Sequence, residues 1–280
     1  MRIFGQVPKS ITKGVLAGLL CCAFLGGCTS AVPVEKEEMV VLARKIYSNG
    51  EESRIEDERE YDRSGHAIKR TWYDADGNIS YWGECTYYTS GYLRQLRWCD
   101  ADGSSSDSYE YKYDEAGNEI YSAYFLNNDC YSWTDREFDS SGHLIKEISY
   151  DMRGAVCTGW AEYEYDSLGR AVIVITYDES GELRYRHECK YDDHGNPVKD
   201  TSYDWTGTLL GTMVWEYAYD GEGRLIRETC LGMEDGYDWY DREYGYDDDG
   251  NLLWEVHYKP DGSVDYRYDY EYMTITVYKE

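Results

Sequence analysis

Proline and phenylalanine are scarce, four of each in 280 residues, and basic side chains are outnumbered, 28 Lys and Arg against 55 Asp and Glu. The resulting formal charge of −27 makes nucleic acid and anionic lipid headgroups poor partners, because both repel an acidic surface. With so little proline, and no serine-rich stretch between residue 60 and the end, the chain offers no linker at which to divide it. No apolar run reaches the roughly 20 residues that a membrane-spanning helix needs. The run from Val15 to Leu25 breaks at Gly26-Gly27-Cys28. The motifs of common chemistries are missing as well: there is no Cys-x-x-Cys pair, no His-Glu-x-x-His, no Gly-x-Ser-x-Gly elbow, no phosphate-cradling glycine loop and no dinucleotide fingerprint. The histidines are scattered at His66, His143, His187, His194 and His257, and the first two follow turn glycines, where a solvated polar residue is expected. Among so many acids, no carboxylate pair suited to glycoside hydrolysis stands out. These absences point away from an enzyme, a metal protein or a cofactor-dependent one.

The short apolar run follows Arg2, Lys9 and Lys13, the layout of a secretory signal peptide. Leu25-Gly26-Gly27-Cys28 resembles the lipobox of bacterial lipoproteins, in which a diacylglycerol is attached to the cysteine and the peptide is cut before it. The resemblance implies a signal peptide over residues 1–27, a lipidated Cys28, an acidic tether over 28–37, and an extracytoplasmic protein held at a bacterial membrane by acyl chains. An ordinary secretory signal cleaved nearby is the alternative. Removing three basic residues would leave 25 against 55 acids and a charge of −30.

Aromatic residues are plentiful, with 32 Tyr and 9 Trp, so the acidity does not signal disorder: such a chain has apolar area to bury. Six cysteines lie beyond Cys28, namely Cys85, Cys99, Cys130, Cys157, Cys189 and Cys230, and they permit up to three disulfides in about 15 pairings. Cys99 stands where other segments carry Tyr, and Cys230 falls close to that position, which favours buried, unpaired thiols.

A repeat governs the chain. Tyr-Asp-x-x-Gly recurs at Tyr61 to Gly65, Tyr113 to Gly117, Tyr165 to Gly169, Tyr191 to Gly195, Tyr219 to Gly223 and Tyr246 to Gly250, with variants at Tyr87 to Gly91 and Phe138 to Gly142. A second series falls between, at Tyr73 to Gly77, Cys99 to Gly103, Tyr150 to Gly154, Tyr177 to Gly181, Tyr203 to Gly207 and Tyr258 to Gly262, with irregular members near Asn127-Asn128-Asp129 and Glu234-Asp235-Gly236. Asp can accept hydrogen bonds from backbone amides across a turn, and Gly can take the positive φ that reverses a hairpin. The segments between are of strand length and rich in Tyr, Val, Ile, Thr and Trp. The expectation is an all-β fold, an elongated antiparallel meander of about 16 strands built from repeated β-hairpins, curled or spiralling, with weak ends. Residues 38–60, with Met39-Val40-Val41-Leu42, suit a capping hairpin; 61–267 hold the repeats; 268–280 suit a closing strand.

Tyr165-Asp166-Ser167-Leu168-Gly169-Arg170 and Tyr219-Asp220-Gly221-Glu222-Gly223-Arg224-Leu225 resemble the YD repeats of the RHS family, and the likeness spans roughly residues 60–270. It implies β-hairpins coiling into a strip, and links to carbohydrate binding. In large toxin members the strip closes into a shell around a toxin. This chain has few strands for that and no toxin domain, so no closed shell is expected.

Two features remain as candidates for binding. The acidic turns Asp74-Ala75-Asp76-Gly77, Asp100-Ala101-Asp102-Gly103 and Asp247-Asp248-Asp249-Gly250 gather hard oxygen ligands, but the twelve-residue calcium loop ending in Glu is absent and turn chemistry accounts for them. In the strand after each second-series turn an aromatic recurs: Tyr81 and Trp82, Trp133, Trp160, Tyr185, Trp239 and Tyr266. Stacked hairpins would align these into a ladder, either as cross-strand core or as an exposed platform on which sugar rings stack. The reading is a non-catalytic binding or adhesion module for glycan or another surface protein, the membrane being reached through the lipid. An immunity-type partner of an exported toxin is a second reading, and a carboxylate-dependent glycoside hydrolase a weaker third.

Overall fold

The computed structural model describes residues 35–105, 107–151, 156–231 and 240–279. They form eighteen strands: β1 Glu35–Ser48, β2 Ser53–Tyr61, β3 Ala67–Tyr73, β4 Ile79–Tyr87, β5 Leu93–Asp100 and β6 Asp107–Tyr113. There follow β7 Glu119–Leu126, β8 Asp129–Phe138, β9 Leu144–Asp151, β10 Val156–Tyr165, β11 Ala171–Asp178 and β12 Leu183–Tyr191. The last six are β13 Pro197–Asp204, β14 Leu209–Tyr219, β15 Leu225–Cys230, β16 Tyr240–Tyr246, β17 Leu252–Tyr258 and β18 Val264–Lys279. No described residue is helical, and the described residues include no helix long and apolar enough to cross a membrane.

Each strand pairs antiparallel with the next, and β1 pairs with both β2 and β18, from Glu35 opposite Lys279 to Ser48 opposite Arg267. The sheet therefore closes into a barrel. This corrects the expectation of an elongated meander with no closed shell; the all-β class stands, and the strand number is close to that expected. Two physical causes drive closure. First, the register slips by one residue at nearly every motif tyrosine, as between Glu60 and Tyr61, Trp72 and Tyr73, or Glu164 and Tyr165. Such bulges bend strands and increase their twist. Second, β1 and β18 are the longest strands, at 14 and 16 residues, and their pairing removes two edges of unsatisfied N–H and C=O groups. Val41 and Val277 are buried along this seam.

Turns carrying Gly65, Gly91, Gly117, Gly142, Gly169, Gly195, Gly223 and Gly250, all at positive φ, make the first rim. The second rim carries Gly50, Gly77, Gly103, Gly181, Gly207 and Gly262, and Asn127-Asn128, whose two positive φ values suit a two-residue hairpin. Gly154 and Gly236 lie outside the described residues. In a typical turn Asp166 N–H donates to the Arg170 carbonyl at 2.9 Å, Gly169 N–H donates to the Asp166 carbonyl at 3.0 Å, and Asp166 Oδ1 accepts from the amides of Leu168 and Arg170.

The two faces of the wall differ. On one, side chains bridge over an intervening strand: Lys45 on β1 reaches Glu255 on β17 at 3.8 Å, Trp72 on β3 meets Trp98 on β5 at 5.1 Å, and Trp215 on β14 donates to Tyr240 on β16 at 3.1 Å. Side chains converge like this only on a concave surface, so this face lines the lumen. On the other face the ion pairs run between adjacent strands, as in Arg97 with Glu84 and Arg227 with Asp241. Strands touch only their neighbours in the ring, and eighteen strands suffice to leave an aqueous channel. The barrel has no dry centre. Its few buried apolar side chains, Leu96, Cys99, Ala123 and Cys230 among them, sit within the wall.

Candidate ligand-binding mouth

The first rim explains why the motif contains both Tyr and Gly. Along most of this rim the residue after a turn glycine leans onto the next repeat. His143 stacks on Tyr165, ring centres 4.8 Å apart, and its Nε2 lies 2.7 Å from where a Cβ on Gly169 would stand. His66 does the same on Tyr87 beside Gly91, and Tyr92 on Tyr113 beside Gly117. Arg170 lies over Tyr191 and donates to the Asp192 carbonyl at 3.0 Å. The motif tyrosines also reach back: the hydroxyls of Tyr87, Tyr165 and Tyr191 donate to the carbonyls of Ala67, Leu144 and Ala171 at 2.6–2.7 Å. His66 and His143 are thus part of the rim packing, the Nδ1 of each within 3.2 Å of its turn aspartate.

The acidic turns consume their own carboxylates. Asp74 accepts from the amides of Asp76 and Asn78, and Asp247 from those of Asp249 and Asn251 and from the Asn251 side chain. Among the described residues no three His, Cys, Asp or Glu side chains gather as a metal site would require. None of the six described cysteines is joined to another.

The predicted aromatic ladder is divided between two faces. Tyr81, Tyr185 and Tyr266 point into the lumen, in register with Trp72, Asp204 and His257. Trp82, Trp133 and Trp160 point outward, where Trp133 lies flat on Tyr150 at 4.7 Å, Trp160 on Tyr177 at 5.1 Å, and the Trp82 indole donates to Glu84 at 3.1 Å. Trp239 and Cys28 lie outside the described residues. The division follows from strand parity: an aromatic four residues after the turn glycine faces in, and its neighbour faces out. Trp160, six residues after Gly154, is turned outward by the register shift between Cys157 and Gly159.

On the inner face near the second rim, other aromatics join Tyr81 and Tyr266. Trp72 stacks on Tyr81 at 4.9 Å and meets Trp98 over Gly83, whose missing side chain makes the room. Tyr109 and Tyr124 pair at 5.0 Å with Tyr131 edge-on, and Tyr266 lies between His257 at 4.2 Å and Tyr47 at 5.8 Å. Trp72, Trp98, Tyr124 and His257 all stand seven residues after a first-rim glycine, and in the other four repeats that position holds Ser149, Thr176, Ser202 and Cys230. The clusters above thus lie on one side of the mouth; across from them Ser149, Thr176 and Ser202 share the arc from β9 to β13 with Tyr185, and Cys230 stands between the inward Trp215 and Tyr240. That spacing was visible in the sequence; its common face was not.

Below the aromatic arc the lumen carries charge. Asp57, fully buried, accepts two hydrogen bonds from Arg70 at 3.0 and 2.7 Å. Lys45 sits 3.3 Å from the centre of the Tyr268 ring, and burial lowers its pKa, opposed by Glu255. Burial acts to raise Glu255, but the His257 hydrogen bond at 3.0 Å and Lys45 outweigh it and hold the carboxyl below its usual range. These two lumen carboxylates are thus held by cations or by His257, with stacking surfaces and phenol hydroxyls beside them.

No family model matches the chain, and no curated protein does. Among solved structures, a chain of the Photorhabdus luminescens Tc holotoxin pore is similar at 12% identity and a TM-score of 0.23, over 80% of this chain and 18% of that one. A chain of the TcdB2–TccC3 structure is similar at 11% identity and 0.23, over 87% and 20%. The present chain thus spans about a fifth of those toxin chains. A porin-like protein from Bacteroides uniformis is similar at 8% identity and 0.41, over 82% and 98%, and one from Bacteroides vulgatus at 13% and 0.38, over 83% and 98%.

Proposed function

We propose that the chain is a non-catalytic, lipid-anchored, extracytoplasmic protein of YD-repeat type that binds carbohydrate at the aromatic arc of its second mouth. The carrying observation is the arrangement of the Trp72–Tyr81–Trp98, Tyr109–Tyr124 and Tyr47–Tyr266 clusters on one side of one opening. Aromatic faces stack on sugar rings, and the phenol hydroxyls, His257 and the lumen carboxylates supply hydrogen-bond partners for hydroxyl groups. The topology supports this use, because Glu35 begins β1 at the first rim, so an anchor on Cys28 would leave the second mouth facing away from the membrane.

The test is a glycan array probed with residues 29–280. Binding should be lost in Tyr81→Ala and Trp98→Ala, and kept in Trp133→Ala, whose ring lies on the outer wall. Silence across the array would move the reading to a protein partner, and loss confined to Trp133→Ala would move the sugar site from the mouth to the outer wall.

A further inference from the structure

A second surface lies on the same rim, on the arc away from the aromatic clusters. Trp205 occupies the first outer position of the turn Asp204-Trp205-Thr206-Gly207 and is 71% exposed. The other turns of that rim hold Ala75, Ala101, Glu179 or Pro260 there. Leu209 and Leu210, 57% and 52% exposed, continue the patch, and Leu183 and Tyr185 of the adjacent hairpin line the shallow groove beside Trp205. Turn formation requires none of this. Asp204 and Gly207 close the turn by themselves, through the amides of Thr206 and Thr208 and the Gly207 N–H. Three large exposed apolar groups at and just after one turn tip oppose solubility and characterise interaction sites.

The surroundings indicate what covers it. Glu179 and Glu182 are exposed on the neighbouring turn, with Asp178 and Asp204 beside them, and Arg184 is the basic residue lining the groove. Trp and Leu side chains fit apolar anchors, and acids at the edge pair with Lys and Arg while the overall negative charge speeds encounter. We infer that the Trp205–Leu209–Leu210 tip is a docking surface for a protein segment that presents apolar side chains flanked by basic ones. It is a separate site from the aromatic clusters, to which only the lumen-facing Tyr185 on the groove's edge is turned, and it stands or falls independently of glycan binding.

Selection of a displayed library of random short peptides on residues 29–280 tests this. Enriched peptides should carry Trp, Leu or Ile beside Lys or Arg. Their affinity should fall roughly tenfold or more in Trp205→Ser and in Leu210→Ser, and Glu179→Lys with Glu182→Lys should weaken basic peptides selectively. Both Ser variants are at exposed positions and should retain the melting temperature and any glycan binding. No enrichment, or enriched peptides indifferent to Trp205→Ser, would overturn the proposal. Self-association in sedimentation that Trp205→Ser abolishes would overturn it in favour of a second copy.

Discussion

Each residue of the first-rim motif serves two repeats at once. Asp closes its own turn, and at Gly91, Gly117, Gly142 and Gly169 the side chain after the preceding glycine packs over the turn glycine. Gly169, at φ +75°, combines a left-handed backbone with the His143 ring where a Cβ would stand. Gly169→Ala is expected to cost about 1–3 kcal/mol, more than the same change at Gly223, which has open space around it; chemical denaturation of the two variants compares them directly. The aspartates make a second prediction. Hydrogen bonds from the residue four positions on hold the carboxyls of Asp74, Asp114, Asp139, Asp166 and Asp247 below their usual range. A group whose folded pKa is depressed stabilises the fold above its unfolded value, about 3.9, and ceases to do so as pH falls through the folded value. Melting temperature should therefore be level from neutrality to about pH 5 and drop below about pH 4; a level curve down to pH 2 would contradict this.

The elements that decide the architecture are β1 and β18. An open array would lose little from a weakened terminal hairpin, but here the ends are the seam. Asp57 on β2 is fully buried against Arg70 on β3, with Arg59 at 3.6 Å and Lys45 of β1 facing it across the ladder, so removing its carboxylate takes a shared counter-charge from a cluster of half-buried cations. Asp57→Ala should destabilise the barrel by about 3–5 kcal/mol, where Asp265→Ala, on the exposed start of β18, should change little; thermal melts measure both. The outer tryptophans act at this scale too. Trp133 with Tyr150 and Trp160 with Tyr177 each tie neighbouring strands, a contribution of about 0.5–1.5 kcal/mol per pair beyond the area buried.

For the whole molecule, the outer wall is charged along its length: Glu84 with Arg97, Arg186 with Glu188, Arg227 with Asp241, and Arg267 with Asp269. A barrel that crosses a bilayer presents an apolar band outward, and a basic residue at mid-membrane costs about 2–4 kcal/mol. Residues 29–280 should accordingly release no dye from lipid vesicles; leakage in proportion to added protein would refute the assignment of faces. The tyrosine-lined lumen predicts an alkaline limit. Burial raises the phenols of Tyr111, Tyr217, Tyr244 and Tyr270, and pushes Tyr240 to about 12. Raised groups stabilise fully below their unfolded value near 10, and that stability is lost as pH rises through the folded values. Tyrosinate absorbance should thus appear late and cooperatively between about pH 10 and pH 12, together with unfolding; smooth titration near pH 10 would show exposed phenols.

Turn chemistry is local, so the sequence by itself determined where the chain reverses, which segments are strands, and that the fold is all-β. It also placed His66 and His143 as turn residues. Closure was not legible, because it depends on pairing Glu35 with Lys279, some 240 residues apart, and on a small bend at each bulge that matters only when summed around the ring. Nor were the faces: a single register shift, as at Thr158, inverts every side chain beyond it, so the aromatics of one apparent ladder parted, and Trp72, Trp98 and Tyr124 met Tyr81 and Tyr266 at the mouth only once the barrel had closed.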